Sequence, residues 1–184
     1  MTPTTELYLA YCAYLGWLAA GLGDFLCHWR TDLPHTSGVA ESITHLLQLA
    51  LLAIAVVLAL AFEVGPGSAL LLLALVIAHA VVGYIDTLIA FHTRRMVRPV
   101  EQHLHSVLDM APVVGFAWLL ITTLPAAIDA GWALRLRQPM LPAAVWLAML
   151  APPVVLCVVP ALLEFRAAWA ARRWRKAEPP VGAT

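Results

Sequence analysis

Five stretches of about twenty consecutive apolar residues dominate the chain: residues 7–27, 43–62, 69–91, 107–123 and 142–163. A helix needs about 20 such residues to cross the hydrocarbon core of a bilayer. Inside lipid, every backbone N–H and C=O must be satisfied within the protein, so only helices and closed barrels span it. The stretches are apolar on all sides and lack the alternation of barrel strands, which leaves helices. Pro and Gly mark the limits: Pro34, Ser37 and Gly38 follow the first stretch, and Gly65-Pro66-Gly67 follows the second. Pro99 precedes the fourth and Pro125 closes it. Pro152 and Pro153 fall inside the fifth and predict a kink there. The expected fold is an all-α integral membrane protein of about five spans. Four of them form a bundle with a metal site at its cytoplasmic end. Residues 1–165 are expected to be a single transmembrane domain, with 166–184 a basic cytoplasmic tail.

Composition agrees. Of 184 residues, 62% are apolar and only 22 are charged, 11 of each sign. This excludes a soluble enzyme, a nucleic-acid binder and a disordered chain. Cys12, Cys27 and Cys157 show no paired spacing, so neither a disulfide framework nor a thiolate metal site is indicated. The first apolar stretch has no basic segment before it and reads as a retained span rather than a cleaved signal. Five spans place nine of the eleven Lys and Arg residues on one side: Arg30, Arg94, Arg95, Arg98, Arg166, Arg172, Arg173, Arg175 and Lys176. The positive-inside rule makes that side cytoplasmic, with the N-terminus outside and the C-terminus inside. The expected location is a cell membrane, the inner membrane of a bacterium. Arg94, Arg95 and Arg98 are assigned to this topological role, with pairing to lipid phosphate or an acidic substrate head as a second role. Residues 166–176, with Trp169 and Trp174, are assigned to an interfacial anchor, with a basic lipid-headgroup site as the alternative.

The acids and histidines are not scattered. Asp24 and His28 lie at the cytoplasmic end of the first span, and Glu41 and His45 open the second. Asp86 and His92 close the third, and Glu101, His103, His105 and Asp109 open the fourth. His35 lies in the loop between the first two spans, and His79 lies deeper in the third. Asp24/His28, Glu41/His45, Glu101/His105 and His105/Asp109 are each four apart and share a helix face, and Gln48 extends the second stripe by a turn. His79 and Asp86, seven apart, share a face as well. Intramembrane charge is costly and marks function. Five carboxylates at one depth cannot all stay ionised unaided, whereas two divalent cations would neutralise four of them. An oxygen- and nitrogen-rich set without thiolate suits iron or manganese better than structural zinc. The expected ligands are Asp24, His28, Glu41, His45, Asp86, Glu101, His105 and Asp109, with His35, His79, His92 and His103 as further candidates.

This pattern resembles integral-membrane non-haem di-iron enzymes over roughly residues 20–110. Asp24-x-x-x-His28, Glu41-x-x-x-His45 and Glu101-x-x-x-His105 are similar in kind to the His-x-x-x-His boxes of membrane hydroxylases and desaturases. The carboxylate content is closer to the ferritin-like group. The His-His doublets of the first group are absent, and so is the Glu-x-x-His spacing of the second. The resemblance implies two iron ions, with zinc or manganese as alternatives. It also implies Glu41 or Glu101 as the bridging, catalytic carboxylate, and O2-dependent hydroxylation or desaturation of a lipid or other apolar substrate. The partners implied are the bilayer, that substrate and an external electron donor, with no nucleic acid. Two other functions compete. One is a zinc-dependent lipid amidase or hydrolase using His28, His45, His105 and Asp109. The other is a metal transporter or haem electron carrier, which would want midplane or apolar-facing ligands instead.

Overall fold

A computed structural model describes residues 3–127 and 131–177; the rest of the expected tail, 178–184, lies outside the described residues. The elements are α1 (Pro3–Arg30), α2 (Val39–Ala61), α3 (Pro66–His92), α4 (Pro99–Ala127), α5 (Ala143–Pro153) and α6 (Val159–Ala177). A π-helical turn, Val154–Val158, joins α5 to α6, so that they form one span, Ala143–Arg175. Among the described residues the protein is all-helical, and five helices are long and apolar enough to cross a membrane.

The helices run further than the apolar stretches. α4 begins at Pro99, where a fixed φ and a missing N–H suit the first helical position, and this draws Glu101, His103 and His105 into the helix. α6 continues to Ala177, so that residues 166–177 of the expected tail are helical and continuous with the fifth apolar stretch. Ala168 and Ala171 on that extension are buried, and α6 packs there against the short 3-10 turn Leu33–His35. The α1–α2 connection ends at Gly38, whose φ of 60° and ψ of −131° no side chain tolerates well. A Cβ there would also lie 3.2 Å from the Pro34 carbonyl oxygen. This tight reversal delivers Glu41 in the first turn of α2.

Packing closes a ring in the order α1, α4, α3, α2, α5/α6 and back to α1. The expected bundle of four is therefore a bundle of five. The proline pair is what fits the fifth helix to the first. Pro152 and Pro153 have no N–H to give the carbonyls of Ala148 and Met149, one turn earlier. Those two oxygens accept hydrogen bonds from α1 instead, from the Tyr11 hydroxyl (3.2 Å) and the Tyr14 hydroxyl (2.5 Å). The helix takes up the interruption as the π turn. Tyr14→Phe is expected to lower unfolding free energy in detergent by about 1–3 kcal/mol, because it strands a part-buried carbonyl. Tyr8→Phe, at a residue 68% exposed, is expected to leave it unchanged. Equal unfolding midpoints for the two variants would show that the tyrosine–carbonyl bond carries no stability.

Candidate metal centre

All five members of the ring send polar side chains to one end of the bundle, the end that carries the α1–α2 and α3–α4 connections. α1 supplies Asp24 and His28, α2 supplies Glu41 and His45, and α3 supplies Asp86. α4 supplies Glu101 and His105. α6 supplies Glu164, on which His28 and His45 meet. Asp24, His28, Glu41, His45, Asp86 and Glu101 are all buried, Glu41 and Glu101 completely.

The three histidines share one design. His28 Nδ1–H donates to Glu164 Oε2 and His45 Nδ1–H to Glu164 Oε1, both at 2.8 Å. His105 Nδ1–H donates to the Glu101 carbonyl at 3.1 Å. Anchoring Nδ1 on an acceptor fixes the tautomer and leaves a lone pair at Nε2. Each Nε2 then faces carboxylate oxygen. His28 Nε2 lies 3.3 Å from Asp24 Oδ2 and 3.5 Å from Glu101 Oε1; His45 Nε2 lies 3.3 Å from Asp86 Oδ1; His105 Nε2 lies 3.6 Å from Asp86 Oδ2. In neutral rings lone pair would face lone pair, an arrangement that repels unless a cation or proton sits between the atoms. The His28 and His45 rings stack 4.7 Å apart at 8°, with Phe25 edge-on to both. Three sets offer ligand atoms within 4.8 Å of one another: His28/His45/His105, Asp24/Glu101/His105 and Glu41/His45/Asp86.

Arg95, expected to set topology or to pair with a lipid phosphate or acidic substrate head, reaches the same cluster. The end of α3 explains how. Arg94 is left-handed at φ 53°, Arg94 N–H bonds Phe91 O and Arg95 N–H bonds Ala90 O. This double bond pattern is a Schellman turn, with arginine where glycine is usual. It throws Arg95 back under the bundle, where its guanidinium forks onto Glu41 (Nε–Oε2 3.0 Å, Nη2–Oε1 2.6 Å). Nη2 also meets Glu101 Oε1 at 2.5 Å, and Nη1–H donates to the Thr31 hydroxyl at 3.1 Å. Burial opposes the charge on Arg95, but the hydrogen bond to Glu101 and the charges of Glu41 and Glu101 outweigh it and raise its pKa above the ordinary value. Glu41, expected as a bridge, thus has both oxygens on Arg95. Glu101 keeps Oε2 without a hydrogen-bond partner among the described residues. The carboxylates that span two imidazoles are Asp24 and Asp86. Asp86 does so through two Nε2 atoms, those of His45 and His105, whereas Asp24 lies 3.3 Å from His28 Nε2 and 3.3 Å from the Nδ1 of His105. The Thr44 hydroxyl holds Asp86 Oδ1.

Glu164 went unnoticed in the sequence, where it follows the fifth apolar stretch directly and has no histidine four residues away. An acid inside a 33-residue span was the available signal. Asp109, expected as a ligand, is half-buried beside α3 and belongs to none of the three ligand sets; a Cβ on Gly83 would lie 2.8 Å from its Oδ1, so glycine makes its place. His35, His92 and His103 lie apart from the cluster. All three are exposed, bonded to Asp32 (2.6 Å), the Leu88 carbonyl (2.7 Å) and the Pro99 carbonyl (2.9 Å). His79 is buried and belongs to none of the three ligand sets. It lines an apolar cavity of about 270 Å³ that runs up the bundle interior from Asp24 and His45.

The five carboxylates that bond or pair within the cluster, those of Asp24, Glu41, Asp86, Glu101 and Glu164, meet one guanidinium among the described residues, so four negative charges remain in a setting where isolated charge is costly. Two divalent cations, or protons on the imidazoles and carboxyls, can balance them. No protein-family model, curated protein or solved structure matches the chain.

Proposed function

We propose that the protein is a membrane metalloenzyme whose centre is dinuclear, a pair of iron ions, and which oxidises a lipid or other apolar substrate with O2 at the cytoplasmic face of a cell membrane. One observation carries the reading: three imidazoles with Nδ1 anchored on acceptors turn their Nε2 atoms toward carboxylate oxygens 3.3–3.6 Å away, where a cation or a proton is required between them. The ligands are His28, His45, His105, Asp24 and Asp86, with Glu101 Oε2 available besides. Asp86, which faces the Nε2 atoms of both His45 and His105, would take the bridging place expected for Glu41 or Glu101, and Asp24 would serve beside His28 Nε2. Glu164 and Arg95 are positioning residues, the first orienting two imidazoles and the second holding Glu41 and Glu101. When bound, iron supplies the capacity to reduce O2. Hydroxylation and desaturation both draw two electrons from the substrate and two, with two protons, from an external donor. The chain binds the metal, admits the apolar substrate through the cavity and keeps bulk water out.

The hold of Arg95 on Glu41 and Glu101 favours a second reading. With those two acids withdrawn, a histidine-rich set remains that suits one zinc with an open position for water, as a lipid hydrolase requires. Elemental analysis of the detergent-purified chain separates the two. About two irons per chain is the expected result. One zinc per chain transfers the case to the hydrolase, and a chain that holds no metal after growth with either ion overturns both.

A further inference from the structure

Two polar groups in the cavity have no use in the cluster below them. His79 is 2% exposed and its Nδ1 has no hydrogen-bond partner among the described residues; Trp17 Nε1–H is likewise buried and unpartnered. Both residues line the 270 Å³ cavity, whose remaining walls above Asp24 and His45 are apolar apart from Gln48, Tyr14 and Cys157. An unpaired buried donor costs free energy that the fold recovers only when an acceptor arrives. The two groups also share a depth. Trp17 precedes Asp24 by seven residues on α1, and His79 precedes Asp86 by seven on α3. α1 and α3 run in the same direction, so both groups stand two turns, about 10 Å, above the carboxylates.

We infer that the cavity binds a hydrocarbon chain bearing one uncharged oxygen, a long-chain alcohol, aldehyde or ketone, held by Trp17 Nε1–H and His79. The indole is a donor only, so it requires an acceptor. A hydroxyl can in addition meet His79 Nδ1 in either tautomer. A fatty-acid anion fits poorly, because no Lys or Arg is among the lining residues and Asp24 faces the same space. The volume lies near the lower end of ligand pockets, about 300 Å³, and suits one slender chain. This deepens the proposed function by naming the substrate class, but the binding step itself rests on the cavity and not on the metal.

The test is displacement of tritiated 1-dodecanol from the detergent-purified full chain by unlabelled dodecanol, dodecane and dodecanoate, before and after chelator treatment. Dodecanol is expected to displace the label best, with dodecane and dodecanoate at least about tenfold weaker. One lost hydrogen bond corresponds to about threefold to tenfold in affinity. His79→Leu and Trp17→Phe are each expected to weaken dodecanol by that factor while leaving dodecane unchanged. His79→Gln, which restores a donor and an acceptor, is expected to recover most of the loss. Equal displacement by dodecanol and dodecane in the wild-type chain overturns the inference, as does unchanged discrimination in His79→Leu or the absence of saturable binding. Binding that persists in chelated protein stands apart from the metal reading. A chain that holds iron yet ignores dodecanol would refute only the inference.

Discussion

Arg95→Met is expected to lower unfolding free energy in detergent by about 3–5 kcal/mol, the cost of leaving a buried ionic network without its cation. Glu41 and Glu101 are completely buried, and Arg95 is the cation on both. Removing it leaves two carboxylates facing a low-dielectric interior. Arg95→Lys is expected to recover only part of the loss, since an ammonium cannot fork onto Glu41 through two nitrogens while also meeting Glu101 and Thr31. The measurement is an unfolding titration, with Arg94→Met and Arg98→Met as controls. Both side chains are exposed, and each change is expected to cost well under about 1 kcal/mol. If all three variants unfold alike, Arg95 serves topology alone. Glu41→Gln in the Arg95→Met background is expected to restore stability, because it removes one of the charges that the first change strands.

Glu164→Gln is expected to weaken metal binding by about tenfold to a hundredfold, the usual effect of losing a partner that orients ligating histidines. The carboxylate accepts from His28 and His45 through separate oxygens, both at 2.8 Å. An amide of the same shape offers one acceptor and one donor, so it can orient one imidazole and must present N–H to the other. That second ring is driven to the tautomer whose lone pair points away from Asp24 or Asp86. Competition with a graded chelator series reads the change directly. Glu63→Gln, on the α2–α3 connection at the far end of the bundle, is the control and is expected to have no effect. Wild-type affinity in Glu164→Gln would sink the tautomer argument on which the metal reading stands.

Spacing made part of this site legible. His28, His45 and His105 each have an acid four residues earlier, and these three enter the cluster; His35, His79, His92 and His103 have none, and they stay out of the ligand sets. The rule works because four residues return to the same helix face, so the pair reports a face committed to polar chemistry. It fails where partners come from different helices. Glu164 meets two histidines more than a hundred residues away, which no local spacing encodes. Arg95 is hidden among neighbouring arginines, and only the left-handed turn at Arg94 distinguishes it. The five spans were visible because apolar length is a local property. Their ends were not, because polar side chains at a helix end lower hydropathy without ending the helix, as Pro99 to His105 and 166–177 show.

The ring closes between α1 and the α5/α6 span, which are far apart in the order of synthesis. During synthesis, α1 through α4 can enter the bilayer while His28 and His45 still lack the residue that orients them, because Glu164 is one of the later residues to emerge. The pair is therefore completed only as the fifth span inserts. A chain interrupted before α6 would keep most of its membrane-spanning bulk and lose the geometry of both imidazoles. Biogenesis of the site is in this sense all-or-none: insertion of the fifth span is what matures the buried end.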